Sequence, residues 1–302
     1  MESKLEKIKR LKEEKNAVIL AHYYVNDEVQ DIADYVGDSY YLSELATRIS
    51  QDVIVLCGVR FMAESAKILN MGKKVLLPVI DADCPMAHMA TVDKIKQIRE
   101  QYEDVAVVCY VNSTAELKEQ SDVCVTSSNA LKIVQALPNK NVYFIPDQNL
   151  AHYVASKVPD KNFIFNEGYC PVHMNVEVEE IEAVKAAHPN APLLAHPECK
   201  PGVLALADYA GSTSGIINYV KGSDKEEFII CTERGVFHKI KTQNPDKKLY
   251  LASEKLLCSD MKKITLDSII DVLENEKPEI EMDEEFAKRA YKSMARMLEL
   301  SK

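Results

Sequence analysis

The sequence predicts an α/β fold in which three similar three-layer αβα domains, each with a parallel sheet, surround one shared site at their junction. One observation is local: short apolar runs typical of buried strands alternate with longer amphipathic stretches typical of helices. The other spans the chain: one polar pattern occurs three times in the 302 residues, with a nearly constant period. Three copies at one period indicate three units around a pseudo-threefold axis, so that equivalent ends meet at the centre.

In each copy an apolar run ends in a polar tip, which is followed by a helix-like stretch and then by a turn containing Ser, Thr or Gly. Tip and turn are 15 residues apart in every copy. The three pairs are Tyr24 and Ser39, Asn112 and Ser127, and Glu198 and Thr213. Positions 39 and 127 are 88 residues apart, and positions 127 and 213 are 86 apart. The repeat therefore includes both the strand ends and the turns.

Three cysteines follow the same period. Cys84 and Cys170 are 86 residues apart, and Cys170 and Cys258 are 88 apart. Each follows a strand-like segment and precedes a helix-like one, so we expect all three to face one central point. Cys199, beside Glu198, is left open. The remaining cysteines lie within or at the ends of apolar runs and are interpreted as buried small hydrophobic residues: Cys57, Cys109, Cys124 and Cys231.

The first domain is predicted to span residues 1–84. It begins with an amphipathic helix at 5–15. The apolar run at 17–21 is too short for a helix of its own and is bounded by polar residues, which is typical of a buried parallel strand. The same reasoning predicts further strands at 53–57 and 74–79, and helices at 29–36, 40–49 and 61–69.

The second domain is predicted to span 85–170 and the third 171–258. Thr91 is a candidate N-cap for a helix whose apolar stripe consists of Val92, Ile95, Ile98 and Tyr102. Strands are predicted at 105–109, near 123, at 142–145 and at 163–165. In the third domain a helix at 178–187 precedes strands at 193–195, at 228–230 and near 249–251.

The remaining segment, residues 259–302, is predicted to be helical and to pack on the first domain. One apolar stripe consists of Leu266, Ile269, Ile270 and Leu273. Pro278 interrupts the helical pattern because proline lacks a backbone N–H, and a second helix is predicted at 284–300.

Composition excludes several classes of partner. Apolar residues make up 47% of the chain, which supports sizeable cores, and the net charge of −10 argues against nucleic acids and anionic membranes. The sequence contains no run of 18 apolar residues, so it predicts no membrane span. The charged start does not resemble a signal peptide, so we expect a cytoplasmic protein. In such a protein eight cysteines do not indicate a disulfide framework.

The turns predict an anion site. Ligands of open parallel sheets bind beyond the carboxyl ends of the strands, and helix N-termini with hydroxyl groups attract anions. Any single turn would be interpreted as an ordinary N-cap. Three turns at matched spacing instead favour a receptor for a phosphate or a dicarboxylate, and its candidate residues are Ser39, Ser127, Ser212 and Thr213.

The tips supply candidate acid, base and hydrogen-bonding groups. They are His22, Tyr24, Tyr110, Asn112, His196 and Glu198. Two of the three copies place a histidine at one equivalent position. Glu198 lies between Pro197 and Cys199, where a purely structural carboxylate has little reason to be, so it is the strongest candidate for a general base.

Three cysteines facing one point favour a metal site. Zinc is one candidate, but a closed site needs a fourth ligand, and no fourth cysteine shares the period. A [4Fe–4S] cluster held by three thiolates leaves one iron open, and that iron can act as a Lewis acid towards a substrate hydroxyl, carboxylate or carbonyl. The expected chemistry is dehydration or condensation of a small polyanion. His173 is interpreted either as a partner that supports the ligands or as a capping or packing residue.

Several longer motifs are together highly specific. They are Ala21-His22-Tyr23-Tyr24, Val36-Gly37-Asp38-Ser39, the stretch 57–64, Asp83-Cys84-Pro85-Met86-Ala87, Tyr110-Val111-Asn112-Ser113, the stretch 124–130, Pro146-Asp147-Gln148-Asn149-Leu150, Cys170-Pro171-Val172-His173, Ala195-His196-Pro197-Glu198-Cys199, Ala210-Gly211-Ser212-Thr213 and Met261-Lys262-Lys263-Ile264. At these residues the chain resembles the quinolinate synthase family, iron–sulfur enzymes of NAD biosynthesis. The resemblance covers nearly the whole chain.

The resemblance implies three pseudo-symmetric αβα domains with the active site at their junction, and a [4Fe–4S] cluster held by Cys84, Cys170 and Cys258. It implies condensation of iminoaspartate with dihydroxyacetone phosphate to give quinolinate, with loss of phosphate and two waters. A transient contact with the enzyme that produces iminoaspartate is a further expectation.

The resemblance also implies roles for the tip residues. Tyr24 and Glu198 would be acid–base groups, and His22 a substrate ligand or acid–base group. Tyr110, itself a candidate catalytic residue, would orient substrate together with Asn112 and His196. The hydroxyl groups that would hold carboxylates and phosphate belong to Ser39, Ser127, Ser212 and Thr213.

The chain departs from the family pattern in two places. In Cys258-Ser259-Asp260-Met261, many members have Pro or Ala and then Asn between Cys and Met, but the thiolate position is retained. The C-terminal cysteine pair of longer members is absent, so we expect no regulation through that disulfide.

Two other functions remain open from the residues alone. One is a zinc- or iron-dependent lyase acting on another small phosphorylated anion, which metal analysis would distinguish. The other is a non-catalytic anion-binding protein whose cysteines are merely buried. That protein would bind ligand without iron, and Cys→Ser changes at the three periodic positions would have no effect.

Overall fold

The computed structural model describes residues 2–302, which contain three four-stranded sheets. In each sheet all strands are parallel, and their spatial order is the same: the second strand along the chain lies at one edge, followed by the first, the third and the fourth. Helices lie between the strands along the chain. The predicted α/β class of three αβα units is therefore confirmed.

The first unit has helices α1 to α4 and ends in a 3₁₀ helix, Pro85–His88. Its strands are β1 (Ala17–His22), β2 (Tyr35–Gly37), β3 (Val53–Cys57) and β4 (Lys74–Leu76). Its α-helices are α1 (Lys4–Glu14), α2 (Asp27–Ile32), α3 (Ser39–Ala46) and α4 (Arg60–Leu69).

The second unit repeats this arrangement. Its strands are β5 (Val105–Tyr110), β6 (Val123–Val125), β7 (Asn141–Ile145) and β8 (Asn162–Phe165). Its helices are α5 (Val92–Gln101), α6 (Ala115–Glu119), α7 (Ala130–Ala136), α8 (Gln148–Ala155) and the short α9 (Pro171–Met174). Thr91 caps α5 as predicted, since its side chain accepts the backbone N–H of Lys94.

The third unit and the C-terminal helices complete the chain. The strands are β9 (Leu193–Ala195), β10 (Tyr209–Ala210), β11 (Glu227–Cys231) and β12 (Lys248–Leu251). The helices are α10 (Val178–Ala187), α11 (Pro201–Ala205), α12 (Thr213–Gly222), α13 (Val236–Gln243), α14 (Ser259–Lys262), α15 (Leu266–Asn275) and α16 (Glu284–Leu300).

The central strands explain the apolar runs of the sequence. All six residues of β1 and all six of β5 are buried, because helices cover both faces of a parallel sheet. The pairing repeats with the sequence period. Ala21 pairs with Val36 and Cys57, and the equivalent residues of β5 and β9, Cys109 and Ala195, pair in the same way. The next residue in each chain segment is a polar tip.

The short edge strands β2 and β10 were not predicted, and the helix predicted at 29–36 is wrong in its second half. Helix α2 ends at Ile32, and Tyr35–Gly37 pairs with β1 instead. An aspartate before each edge strand accepts a backbone N–H from the central strand, which fixes the chain in an extended path. The donor and acceptor pairs are Ile19 and Asp34 (2.8 Å), Val107 and Asp122 (2.7 Å), and Leu193 and Asp208 (2.8 Å).

The C-terminal helices hold the first two units together. Helix α15 packs on α1 and β3 of the first unit. Helix α16 lies across both units, because it contacts α4 of the first and also α6 and β6 of the second. The buried Lys118 of α6 marks this junction: its Nζ donates to the carbonyl of Phe61 at 3.0 Å, and Ser293 of α16 donates to the Lys118 carbonyl at 2.7 Å.

We predict that Leu20→Ala lowers the free energy of unfolding by about 2–5 kcal/mol, because Leu20 is fully buried in the central strand of the first sheet. Leu5→Ala is the matched control, since Leu5 is 55% exposed and its loss should change stability by less than about 0.5 kcal/mol. Urea denaturation followed by circular dichroism measures both. Equal shifts for the two variants would contradict the assigned burial.

Candidate active site

A cavity of about 260 Å³ lies where the three units meet. The three periodic cysteines and all of the predicted tips line it, together with most of the hydroxyl turns. From the predicted site residues the lining contains His22, Tyr24, Ser39, Cys84, Tyr110, Asn112, Ser127, Cys170, His196, Glu198, Thr213 and Cys258. The fold thus brings these residues, which are as much as 236 positions apart, into one chamber.

Ser212 has a different place. Its hydroxyl oxygen accepts the backbone N–H of Gly215 at 3.1 Å, so it serves as the N-cap of α12. It is not among the residues that line the cavity. Its neighbour Thr213 lines the cavity instead, and the Thr213 hydroxyl lies 2.8 Å from that of Tyr24.

Glu198 is a buried carboxylate in the lining of the cavity. Its Oε2 lies 2.8 Å from Nδ1 of His173, while the buried Oε1 has no hydrogen-bond partner among the described residues. Burial opposes ionisation, but His196, hydrogen bonds from His173 and the Tyr110 hydroxyl outweigh it and lower the pKa of Glu198 to about 2. The side chain is therefore an ionised carboxylate with one oxygen free to accept a proton.

His22 and His196 are neutral donors. Burial lowers the pKa of each imidazole to about 4. In each ring Nδ1 accepts a backbone N–H from two residues further on, Tyr24 at 3.2 Å and Glu198 at 3.3 Å. Nε2 must then carry the proton, and in His196 it points to the hydroxyl of Ser127 at 3.3 Å. Two units thus use one local arrangement to present an N–H donor.

Tyr24 and Tyr110 retain their protons. Burial and the nearby charge of Glu198 raise the pKa of both phenols well above the ordinary value. The Tyr24 hydroxyl lies 2.8 Å from the hydroxyls of both Thr213 and Thr232. Asn112 adds a buried amide oxygen without a partner among residues 2–302. A polar ligand would satisfy this oxygen and that of Glu198.

The three periodic cysteines occupy equivalent positions. Each is the residue before a short helix: the 3₁₀ helix 85–88, α9 or α14. Backbone N–H groups of the following turn point at each sulfur and favour the thiolate, but burial has the larger effect and raises the pKa of all three thiols. A cation is needed to keep such buried sulfurs deprotonated.

The backbone of two of these cysteines is held by buried carboxylates that the sequence analysis missed. The N–H of Cys170 donates to Asp147 at 3.1 Å, and the N–H of Cys258 donates to Glu233 at 3.3 Å. Both acids are fully buried. They stand two residues beyond β7 and β11 and are 86 residues apart, so the repeat would have revealed them. The first unit has Val59 at this position.

Cys170, His173 and Glu198 form a compact group of potential metal ligands, with ligand atoms within 4.8 Å of one another. His173 Nδ1 lies 3.2 Å from the Cys170 sulfur as well as 2.8 Å from Glu198, and its Nε2 lies 3.1 Å from the Thr232 hydroxyl. Both ring nitrogens are thus engaged by protein groups. The ring stacks on His196 with centroids 4.8 Å apart.

The fold and the cavity define an enzyme that acts on small molecules, since acid–base groups, hydroxyls and potential metal ligands converge in one concave site. Within residues 2–302, no helix combines the length and the apolar character needed to span a bilayer. Residues 6–299 match the family model described as quinolinate synthetase A protein. The chain belongs to the quinolinate synthase family, whose enzymes serve NAD biosynthesis.

Similar proteins extend over the same length. A quinolinate synthase of Fusobacterium nucleatum is 54% identical over 296 residues, which is 98% of this chain and 99% of the relative. One from Alkaliphilus metalliredigens is 52% identical, covering 98% of each chain. Quinolinate synthase 2 of Methanosarcina acetivorans is 48% identical, covering 100% of this chain and 97% of the relative. The match therefore includes all three units.

We predict that the metal-free protein loses stability as the pH falls from 6.5 towards 4. In this window the unfolded chain protonates His22 and His196, whereas the folded chain keeps them neutral until about pH 4. Unfolding then takes up protons, so the free energy of unfolding decreases, by up to roughly 3 kcal/mol per histidine. Replacing both by Asn should reduce this pH dependence. An unchanged slope in the double variant would contradict the assignment.

Proposed function

We propose that this enzyme condenses iminoaspartate with dihydroxyacetone phosphate to form quinolinate, releasing phosphate and two waters, with a [4Fe–4S] cluster held by Cys84, Cys170 and Cys258. One observation carries the proposal: the three periodic cysteines line the same cavity as the free carboxylate oxygen of Glu198. The names of the relatives support the product.

The three cysteines fit an iron–sulfur cluster. They come from different units, lie half-buried in one cavity and receive backbone N–H groups that stabilise thiolates. With only three thiolates as protein ligands, one iron would remain open and would supply Lewis acidity when the cluster is bound. Asp147 and Glu233 would hold two of the three ligand turns from behind.

The hydroxyl turns suit the anionic groups of both substrates. Ser39 and Ser127 reach the cavity beside the helices α3 and α7, and Thr213 is the first residue of α12. Neutral hydroxyls and N–H donors can bind carboxylates and phosphate without requiring a buried cation. The neutral His22 and His196 add N–H donors to the same wall.

The acid–base groups match a condensation followed by dehydrations. Glu198 would accept a proton at Oε1, since this oxygen is ionised and has no partner in the described chain. Tyr24 and Tyr110 keep their protons and would donate hydrogen bonds or protons to oxygen atoms that leave. Asn112 would orient a substrate N–H or O–H with its free amide oxygen.

A second candidate is a lyase of another small phosphorylated anion, with one zinc or iron ion on Cys170, His173 and Glu198. Their spacing favours it. Against it, both nitrogens of His173 already contact protein groups, and Cys84 and Cys258 would have no role. Iron and sulfide quantitation under anaerobic conditions distinguishes the two: a cluster gives sulfide, whereas a single ion gives none.

We predict that Cys84→Ser, Cys170→Ser and Cys258→Ser each abolish cluster binding and quinolinate formation, because serine oxygen is a poor ligand for a cluster held by thiolates. Cys57→Ala is the control, since Cys57 is a buried cysteine of strand β3 that does not line the cavity. Iron, sulfide and product are measured after anaerobic reconstitution. Full iron loading in any of the three serine variants would refute its assignment as a ligand.

We predict that Glu198→Gln retains the cluster but lowers kcat by at least about 100-fold, because general-base catalysis typically contributes 10²–10⁴-fold. The amide has nearly the same shape and cannot accept the proton. Glu254→Gln, an exposed carboxylate outside the cavity, serves as control. A Glu198→Gln enzyme with wild-type turnover would remove this residue from the mechanism.

A further inference from the structure

Lys262 is a partly buried lysine at the end of α14, the short helix that begins directly after Cys258. Its side chain is 21% exposed and does not belong to the cavity lining. The repeat places His88 and Met174 at the equivalent positions, since 88, 174 and 262 are separated by 86 and 88 residues. Only the third copy has a long cationic side chain at this point, so pseudo-symmetry does not account for it.

The ammonium group of Lys262 holds the tyrosine loop, residues 24–26, which follows β1. Its Nζ donates to the carbonyl of Tyr24 at 2.7 Å and to that of Val25 at 3.4 Å. It also lies 3.3 Å from Oε1 of the fully buried Glu233. These three acceptors match the three N–H donors of an ammonium group. Lys262 therefore fixes the backbone of Tyr24, whose hydroxyl is one of the proposed acid–base groups.

The tyrosine loop holds the end of α14 in return. Nδ2 of Asn26 donates to the carbonyl of Lys262 at 3.0 Å and to that of Ile264 at 2.7 Å. Glu233, which lies beside the ammonium group, also accepts the backbone N–H of Cys258 at 3.3 Å. Hydrogen bonds thus run in both directions between two segments that are 236 to 238 positions apart in the chain. The tyrosine loop and the cysteine turn are therefore connected to each other.

We propose that Lys262 is a positioning residue that fixes the tyrosine loop relative to the turn of Cys258, and thereby sets the position of the Tyr24 hydroxyl in the cavity. The inference rests on the proposed roles of Tyr24 and Cys258. Loss of the ammonium group would leave carbonyl groups of the loop without their donor, and the loop would shift to satisfy them. A shift of about 1 Å at a reacting group can lower the rate by about 100-fold.

Lys262→Met and Lys262→Arg test this in the full chain with its cluster reconstituted. Methionine keeps most of the aliphatic stem and removes the ammonium group, whereas arginine keeps a cationic donor. We expect methionine to lower kcat about 10–100-fold with KM within about twofold, and arginine to retain at least about threefold more activity than methionine. Iron and sulfide contents should equal those of the wild type in both. Lys221→Met, the same change at an exposed position of α12, should keep wild-type kcat.

Three results of these measurements would overturn the inference. One is wild-type kcat in Lys262→Met. Another is an equal loss in the methionine and arginine variants, which would assign the effect to the shape of the side chain. The third is a loss of iron in proportion to activity, which would assign Lys262 to retention of the cluster.

A double variant separates positioning from an effect on folding. In Lys262→Met the buried carboxyl group of Glu233 loses its cation, which by itself destabilises the protein. Adding Glu233→Gln removes this carboxylate and keeps an acceptor for the N–H of Cys258. We expect stability to return in the double variant while kcat stays low, because the carbonyl of Tyr24 still lacks its donor. Recovery of wild-type kcat would assign the loss to the unpaired carboxylate and would overturn the inference.

A measurement without turnover completes the test. Fluorine-19 NMR of the metal-free full chain, labelled with 3-fluorotyrosine, reports on Tyr24 and Tyr110, whose signals are assigned with Tyr→Phe variants. Lys262→Met should shift or broaden the Tyr24 signal and leave that of Tyr110 unchanged, and an unchanged Tyr24 signal would overturn the inference. Since no substrate is needed, this result is distinct from failure of the proposed function, which would appear as a wild-type enzyme that forms no quinolinate.

Discussion

The arrangement of side chains around the cavity depends on one buried negative charge, the carboxylate of Glu198. An ion withdrawn from water is stable only when it is paired or hydrogen-bonded, and here its environment comes from two units: Tyr110 and His173 from the second, and His196 from its own. The same charge helps to keep the phenols of Tyr24 and Tyr110 protonated. One oxygen is used to hold the carboxylate, and the other is left free in the cavity. The site is thus organised by the requirement to stabilise this charge without neutralising it.

The threefold repeat places equivalent backbone positions around the cavity, and the side chains that differ between the three copies supply the different chemical groups of the site. Equivalent residues supply the aspartates before the edge strands and the cysteines before the short helices. The tips differ, because the equivalent tip residue is His22 in the first unit, Tyr110 in the second and His196 in the third. A symmetric protein could present only three identical groups. Divergence at a few positions, with the backbone maintained, lets donors, a base and three sulfurs surround a small molecule from different sides.

Helix α16 has a structural role that complements this junction. It lies across the first and second units, where the buried ammonium group of Lys118 donates to a carbonyl of α4. Among residues 2–302 no carboxylate forms an ion pair with this ammonium group, so it depends on such carbonyl contacts, and the position of α6 relative to α4 is closely constrained. Since the loops that follow the central strands carry the site residues, relative placement of the units translates directly into the shape of the cavity.

The sequence by itself determined the α/β class, the three units and nearly all central strands, and it named twelve of the residues that line the cavity, because apolar periodicity and a repeat of 86 to 88 residues are local or countable properties. It did not determine the edge strands β2 and β10, whose few residues gain their conformation from pairing with a neighbour. From the sequence, Ser212 was assigned to the anion site, although its hydroxyl caps α12 in the structure. The sequence also did not decide the role of His173. Only the tertiary structure decided which lone pairs and protons face each other, since the contacts of Thr232, Asp147 and Glu233 join residues that are 23 to 208 positions apart.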